Sequence, residues 1–347
     1  MGIAELNRRE ILQLGSLGAL GLLAARAGWS AQSGGALITK GIPATNEQLP
    51  VVGIGTNSFN LANSNTLSAV LSRFTELGAT LIDTAASYGE SEEVIGKVLA
   101  ELKLRNKVFI ATKLTGGGAM QMGPPGGGGG PPGGGRPGGG AGGAGGPPGG
   151  GPPNMGPQVY GKESLDRSLQ RLQTDHLDLL EVHNLNGVDT LMPQLIEWKK
   201  AGKIRYLGIT TSNDSQHEAV AEAIRKYTLD FVQVNYSLGL RNAEKVVFPV
   251  AQERKVAVIA NVPLGGRGGS LISAAKGRML PAWAADFGAT SWAQLLLKYV
   301  VSHPAVTATI TGMTKVEHVD DNLQASRGKL PDAAQRKKIE DYWASKA

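Results

Sequence analysis

Four ionisable side chains stand at or just after the ends of short apolar segments. Asp83 closes the segment TLID, Tyr88 follows it by five residues, Lys113 closes VFIATK, and His183 lies near the end of LDLLEVHN. A Tyr hydroxyl has a pKa of about 10 in water, and a nearby ammonium lowers that pKa by favouring the phenolate. Lys113, held by Asp83, can act on Tyr88 in this way, and His183 can orient a substrate oxygen. The set predicts a general acid for a carbonyl oxygen, or a base for an alcohol.

A carbonyl and its alcohol differ by a hydride as well as a proton. No protein side chain supplies a hydride, so the same four residues imply a nicotinamide cofactor. Three further polar residues at segment ends, Ser212, Asn213 and Gln233, carry hydroxyl and amide groups suited to bind a carboxamide. A single Asp or His in such a place is usually a cap or a hydrogen-bonding group. Four ionisable residues on three successive segments instead predict a functional site.

Eight short apolar runs, rich in Val, Ile and Leu, recur along the chain. Unbroken runs of this kind are typical of parallel strands that are buried on both faces. Helical patterns such as KESLDRSLQRL, DTLMPQLIEWKKAG and SQHEAVAEAIRKY lie between them, and Gly202 predicts the end of the second helix. Eight units predict the α/β fold class, a (β/α)8 TIM barrel with its active site at the carboxyl ends of the strands. The runs start at residues 51, 80, 107, 177, 204, 231, 256 and 306.

The third interval between these runs spans 70 residues and the seventh spans 50, whereas the other five span 25–29. Residues 116–157 account for the excess in the third interval, since 23 of these 42 residues are Gly and 10 are Pro, a composition that forms no packed element. The segment is predicted to be a long, disordered Gly/Pro-rich insertion in the third βα loop of one barrel, rather than a linker between two domains. An irregular loop is predicted at about residues 263–288. The early segment ALITKGIPATNEQLPV predicts an N-terminal hairpin that plugs the barrel floor.

The N-terminal 27 residues resemble a twin-arginine export signal. Arg8 and Arg9 precede the apolar run LGSLGALGLLAA, and the small-x-small sequence ARA follows at residues 25–27. The run is too short to span a membrane, and an ordinary amphipathic helix is the alternative. The signal predicts a periplasmic or otherwise exported protein that meets the export machinery for folded proteins and keeps no stable membrane span after processing. Without it, the protein is expected in the cytoplasm. The remaining residues, 28–347, are predicted to form the single barrel.

Composition excludes several classes of site. The chain has no Cys, which excludes disulfides, thiolate nucleophiles and Cys-type zinc sites. None of the five His residues has the spacing of a metal-ligand motif, so no metal site is predicted. The net charge of +6 comes from dispersed basic residues, which indicates a solvated surface rather than a nucleic-acid partner.

At these motifs the sequence resembles the aldo-keto reductase superfamily, from about Leu49 to Leu330. The segment GATLIDTAASYGESEEVIG resembles the one that carries the family's Asp and Tyr, VFIATK the one with its Lys, and DLLEVHN the one with its His. LGITTSN and FVQVNYS resemble the nicotinamide-binding strands, and ITGMTKVEHVDDNLQA resembles the adenosine-binding end. These separated motifs, in the right order along the chain, make the resemblance specific.

The resemblance implies a metal-free enzyme that reduces aldehydes and ketones reversibly with NADPH or NADH. It implies Tyr88 as the acid/base, Lys113 and Asp83 as the residues that tune it, and His183 as the residue that orients the carbonyl. Its partner would be a small-molecule carbonyl or alcohol substrate. The residues it implies for cofactor binding are Ser212, Asn213, Gln233, Asn261, Leu264, Gly265, Lys315, His318, Asp321 and Asn322.

The sequence departs from the family pattern at three places. Asn261 stands where many members place an aromatic that stacks on the nicotinamide. Gly312 and Met313 replace a common Lys-Ser pair, and His318 replaces a common Arg, which leaves Lys315 as the cation for a 2′-phosphate. NADP is therefore predicted, with NAD as the alternative. The third departure is the Gly/Pro insertion. It either partly covers or widens the entrance through which substrate reaches the active site, or it is an insertion without effect on the site.

Two other functions remain open from the sequence. One is a non-catalytic dinucleotide-binding or scaffolding barrel that is exported to the periplasm. The intact set of Asp83, Tyr88, Lys113 and His183 argues against it, because a binding module need not keep all four. The other makes the Gly/Pro insertion the functional part, as an adhesive or wall-associating segment.

Overall fold

The computed structural model describes residues 35–114, 161–266 and 269–345. Within these ranges, the strands are β1 (Thr39–Gly41), β2 (Gln48–Pro50), β3 (Val52–Gly55), β4 (Leu81–Asp83), β5 (Phe109–Leu114), β6 (Leu177–His183), β7 (Ile204–Thr210), β8 (Phe231–Asn235), β9 (Ala257–Asn261), β10 (Gly265–Gly266), β11 (Gly269–Ser270) and β12 (Val306–Gly312). Eight of these strands are parallel and close into a barrel in the order β12-β3-β4-β5-β6-β7-β8-β9, so the predicted (β/α)8 fold class is confirmed.

Helices connect the barrel strands and cover their outer faces. The α-helices are α1 (Ser64–Glu76), α2 (Ser91–Glu101), α3 (Lys162–Arg171), α4 (Val188–Lys200), α5 (His217–Lys226), α6 (Ala243–Glu253), α7 (Leu271–Ala274), α8 (Trp292–Val301), α9 (Val316–Asn322) and α10 (Ala333–Ala344). Short 3-10 helices lie at Leu61–Asn63, Arg105–Lys107, Asp214–Gln216, Ala282–Phe287 and Leu323–Ser326. The three helices predicted from sequence patterns are α3, α4 and α5. Gly202 lies just beyond α4 with a φ of 73°, a left-handed conformation that glycine adopts without steric cost.

Each barrel strand is apolar on both sides because the barrel has two hydrophobic layers. Leu180 and Val182 of β6 pack outward in the layer between strands and helices. Leu179 of the same strand packs inward, in a smaller cluster within the barrel. Side chains alternate between the faces of a strand, so burial of both faces produces the unbroken apolar runs seen in the sequence.

The antiparallel hairpin of β1 and β2 precedes the first barrel strand. Ile42 and Leu49 of this hairpin are fully buried and belong to the inner cluster, together with Phe109, Tyr206 and Phe231. The hairpin therefore contributes to the barrel interior beneath the carboxyl ends of the strands.

The segment predicted as an irregular loop, about residues 263–288, is more ordered than expected. It contains the small hairpin of β10 and β11, the one-turn helix α7 and a 3-10 helix at Ala282–Phe287. The next helix, α8, begins at Trp292. The Trp292 indole donates a hydrogen bond to the Arg278 carbonyl at 3.0 Å, which ties this segment to α8.

The predicted signal, residues 1–27, and the predicted Gly/Pro insertion, residues 116–157, lie outside the described residues. The elements on either side of the insertion are β5, the third barrel strand, and α3. Among the helices that the structure describes, none is both long enough and apolar enough to cross a membrane.

Candidate active site

A cleft of about 450 Å³ opens at the carboxyl ends of the barrel strands. Because all eight barrel strands are parallel, their polar terminal residues meet at this one end. The structure brings together most of the residues predicted from the sequence. Those that line the cleft are Asp83, Tyr88, His183, Ser212, Gln233, Asn261, Leu264 and Gly265.

Lys113 and Asp83 form a buried ion pair beneath the cleft. The Lys113 Nζ lies 2.5 Å from Asp83 Oδ1 and 2.7 Å from the carbonyl oxygen of Thr84. Both side chains are almost fully buried. Burial raises the pKa of Asp83, and the charge and hydrogen bond of Lys113 oppose this rise. Burial is the largest single influence on Lys113 and lowers its pKa, but the negative charges of Asp83, Tyr88 and Glu181, together with the hydrogen bond to Asp83, outweigh it and leave the pKa of Lys113 raised.

Tyr88 lies directly above this ion pair. The Lys113 Nζ is 5.5 Å from the centre of the Tyr88 ring. Lys113 acts on the Tyr88 pKa in the predicted, downward direction, but the net shift is upward. Burial is the largest cause, and the carboxyls of Asp83 and Glu181 add to it. The expectation of a lowered pKa is therefore wrong for the free cleft, because desolvation of the phenolate exceeds the attraction of one ammonium.

His183 stands beside Tyr88, with ring centres 5.8 Å apart and ring planes at 76°. Burial, with a smaller contribution from the charge of Lys113, lowers the pKa of His183 to about 3. The imidazole is therefore neutral at neutral pH. Its Nδ1 lies 3.2 Å from the Ser87 Oγ. When the Ser87 hydroxyl donates to Nδ1, the proton of the ring is on Nε2, which can then donate to a substrate oxygen.

Gln233 joins the ion pair to the wall of the cleft. Its Nε2 donates to Asp83 Oδ1 at 2.7 Å, and its Oε1 accepts from Thr210 Oγ1 at 3.1 Å and from Asn261 Nδ2 at 3.4 Å. Asn261 Nδ2 also donates to the Thr211 carbonyl at 2.9 Å. Asn261 Oδ1 is buried and has no hydrogen-bond partner among the described residues. An acceptor of this kind, at the edge of the cleft, suits an amide N–H of a bound ligand.

Comparison with known proteins decides the family. The sequence profile of the Aldo/keto reductase family matches residues 51–343, which is most of the chain. The chain belongs to the aldo/keto reductase family. The match extends from the first barrel strand to α10, and so includes all eight strands that carry the cleft.

Individual relatives of this aldo/keto reductase are distant. An uncharacterized oxidoreductase of Bacillus subtilis, YqkF, is 25% identical over 80% of this chain and 87% of its own length. The methylglyoxal reductase YeaE of Escherichia coli is 28% identical over 82% of this chain and 88% of its own. A solved aldo-keto reductase from Klebsiella pneumoniae, in complex with NADPH, matches 89% of this chain and 96% of its own at a TM-score of 0.62 and 22% identity, which shows a common fold.

Five predicted cofactor residues of this aldo/keto reductase do not line the cleft. Asn213 accepts a hydrogen bond from the Ser215 amide at 3.1 Å and so caps a 3-10 helix. Asp321 accepts from Ser291 and Gln294, which fastens α9 to α8. The other three lie on or just before α9, which follows the cleft-lining Gly312: Lys315 and His318 are exposed, and Asn322 is buried.

Sequence reasoning missed two residues at the centre of this aldo/keto reductase. Ser87 contacts His183, as described above, and Glu181 lies fully buried next to Gln233. The signal for Glu181 is its place in LDLLEVHN, two residues before His183. Since strand side chains repeat with a period of two, Glu181 faces the same interior as His183. A charged residue inside an apolar strand is costly unless it has a specific role.

Proposed function

We propose that this protein is an NADP(H)-dependent carbonyl reductase in which Tyr88 is the general acid. The observation that carries the proposal is the buried Lys113–Asp83 pair, with its Nζ 5.5 Å from the Tyr88 ring and a neutral His183 beside that ring. The family match and the oxidoreductase relatives support the class of reaction. In the reverse direction the same residues oxidise an alcohol, with Tyr88 as the base.

The cleft suits a nicotinamide dinucleotide. Asn261 Oδ1 supplies an acceptor that has no partner in the described part of the chain, Ser212 and Thr210 add hydroxyl groups, and Gly55 and Gly312 lie along the same wall. A Cβ at Gly312 would meet nothing within 4 Å, and at Gly55 only backbone atoms at 3.8 Å or beyond, so the wall there is open. When bound, the nicotinamide supplies the hydride. NADP(H) is preferred over NAD(H) in the proposal because relatives are named for NADP or were solved with NADPH.

Each residue of the site has a separate task in the proposed reaction. Tyr88 gives its proton to the carbonyl oxygen. Lys113 stabilises the phenolate that remains, since its positive charge lowers the pKa of the Tyr88 hydroxyl against the effect of burial. Asp83 and the Thr84 carbonyl fix the ammonium. His183 is neutral and donates a hydrogen bond to the carbonyl oxygen without competing for the proton.

The test is Tyr88→Phe, with Tyr227→Phe as the matched control. The Tyr227 hydroxyl donates a hydrogen bond to exposed Asp189, and Tyr227 does not line the cleft. Loss of a positioned acid is expected to lower kcat about 10²–10⁴-fold, while the affinity for NADPH, measured by its fluorescence, stays unchanged. Methylglyoxal, named for the E. coli relative, is a suitable first substrate within a panel of aldehydes and ketones. Full turnover by Tyr88→Phe would refute the role, and NADPH binding without turnover in the wild type would favour a binding barrel.

The choice of dinucleotide is proposed to depend on Lys315. Its side chain is exposed at the start of α9, three residues beyond Gly312. An ammonium at this place attracts a 2′-phosphate as a point charge. Lys315→Ala should therefore weaken NADPH binding more than NADH binding. Equal losses for the two dinucleotides would show that Lys315 takes no part in the choice.

We also propose that Arg8 and Arg9 direct the folded protein to export. The motive is the sequence pattern of residues 1–27 alone. Export before cofactor loading would leave the enzyme without a supply of dinucleotide, so the cofactor should bind before export and remain bound. A variant with Arg8→Lys and Arg9→Lys should stay in the cytoplasm. Undiminished export of that variant would end the proposal, and an exported wild type that arrives without dinucleotide would end its second part.

A further inference from the structure

Glu181 is an ionisable side chain in the interior beneath the cleft, where Asp83 and Lys113 also lie. It is fully buried, and its Cα pairs in register with that of Lys113 on β5 and that of Gly208 on β7. Its Oε2 accepts a hydrogen bond from Gln233 Nε2 at 3.3 Å. Its Oε1 is buried and has no hydrogen-bond partner among the described residues. The proposed reaction gives Glu181 no task.

The charges of this interior do not balance if Glu181 is ionised. Two carboxyls, Asp83 and Glu181, would then face the single ammonium of Lys113, and that ammonium bonds Asp83. A buried carboxylate with only a neutral amide partner and one bare oxygen has a large desolvation cost, whereas the neutral acid has a small one. Burial raises the pKa of Glu181 well above its usual value, and the negative charge of Asp83 adds to the rise against the opposing charge of Lys113. Burial and the charge of Asp83 thus both favour the protonated, neutral form of Glu181.

The contacts of Gln233 show what a neutral Glu181 can do. The two N–H groups of the Gln233 amide have two acceptors, Asp83 Oδ1 at 2.7 Å and Glu181 Oε2 at 3.3 Å. Its oxygen meanwhile accepts from Thr210 and Asn261. Without Glu181, one N–H of a buried amide would lose its acceptor, and the amide could rotate away from Asp83 and from the cleft wall.

We propose that Glu181 is a positioning residue of the active site, which holds Gln233 between its own neutral carboxyl and the carboxylate of Asp83. The proposal rests on the proposed function, because it concerns the same cleft. Its consequence is twofold. Gln233 stays oriented at the wall where the dinucleotide binds, and Tyr88 faces one ammonium and one carboxylate instead of one ammonium and two carboxylates.

Two substitutions separate position from charge. Glu181→Gln keeps the shape and the acceptor and is neutral at every pH. Glu181→Leu keeps the approximate volume but removes the acceptor. We expect Glu181→Gln to keep the dissociation constant for NADPH within about threefold and Glu181→Leu to raise it about tenfold, since a buried N–H then lacks a partner. Unfolding in urea reports whether each variant is folded. Unchanged NADPH affinity in folded Glu181→Leu would overturn the positioning role.

The protonation state is read in two independent ways. The infrared difference between wild type and Glu181→Gln, without cofactor at neutral pH, should contain the C=O band of a protonated carboxyl. Carboxylate bands alone would overturn the proposal.

The second readout is the pH profile of kcat. The titratable groups around Glu181 are Asp83, Lys113, Tyr88 and His183. If Glu181 were ionised, Glu181→Gln would remove a negative charge near Tyr88 and shift the alkaline limb down by about one pH unit. We expect the kcat profile of Glu181→Gln to match that of the wild type at the pH of maximal activity and below it.

These readouts distinguish failure of the positioning role from failure of the proposed function. The infrared spectrum and the NADPH affinity report on Glu181 even if no carbonyl is reduced. An inactive wild type that binds NADPH would refute the reductase and leave the role of Glu181 measurable.

Discussion

Lys113→Met removes the ammonium of the buried pair and leaves the Asp83 carboxyl behind. At the observed separation of 2.5 Å, the Coulomb attraction is about 7 kcal/mol at an effective dielectric constant of about 20. Desolvation of both groups offsets part of this attraction. Removing one partner of a buried pair typically costs about 3–5 kcal/mol, and we expect the free energy of unfolding to fall by this amount. The measurement is urea unfolding followed by tryptophan fluorescence at neutral pH.

A double-mutant cycle shows whether the loss comes from the stranded charge. Asp83→Asn with Lys113→Met leaves no charge to strand, so the double variant should be more stable than Lys113→Met alone. Lys226→Met serves as the control, because its partner Asp189 is exposed and the pair lies at the surface. This control should unfold like the wild type. Strictly additive losses in the double variant would refute the reasoning, since two residues in one buried pair must be coupled.

Two further predictions concern stability. Leu49→Ala should lower the free energy of unfolding by about 2–5 kcal/mol without altering NADPH affinity, because Leu49 fills the inner cluster below the cleft; the exposed Leu61 provides the control, and an equal loss in Leu61→Ala would contradict the argument. His303 has its pKa lowered to about 4, mainly by burial, so the unfolded state takes up its proton first and stability falls as pH drops from about 6.5 to 4. His303→Asn should flatten the fall in Tm over that window, and an unchanged slope would exclude the titration of His303 as a cause.

The barrel could be predicted because its signal is local and repeated. Each apolar run predicts a buried strand, and the similar spacing of most runs predicts that one helix follows each strand before the next begins. The third spacing becomes regular only when residues 116–157 are left out, and in the chain these residues stand between β5 and α3. The β10–β11 hairpin could not be predicted. Its strands have two residues each, too few for any periodic pattern.

The ionisable residues of the site were predictable, but the balance of forces on them was not. Residue types at strand ends indicated Asp83, Tyr88, Lys113 and His183, and the barrel brings them together. The direction of the Tyr88 pKa depends on how completely the hydroxyl is desolvated and on how many carboxyls lie near it. Both depend on packing between segments that are far apart in the chain, so no sequence pattern contains them. The oxygens of Glu181 and Asn261 that lack a partner within the described ranges could not be predicted for the same reason.

One regularity links the sequence of the strands to the chemistry above them. On each of five barrel strands, a residue of the apolar inner cluster is followed two positions later by a polar side chain. The pairs are Leu81 and Asp83, Ala111 and Lys113, Leu179 and Glu181, Phe231 and Gln233, and Ile259 and Asn261. A step of two residues keeps the same face of the strand and moves about one layer along the barrel. The polar layer therefore rests on a buried apolar layer, and this layer has Ile42 and Leu49 of the hairpin as members. On its other side the polar layer meets the cleft, which Asp83, Gln233 and Asn261 line and where the proposed substrate binds.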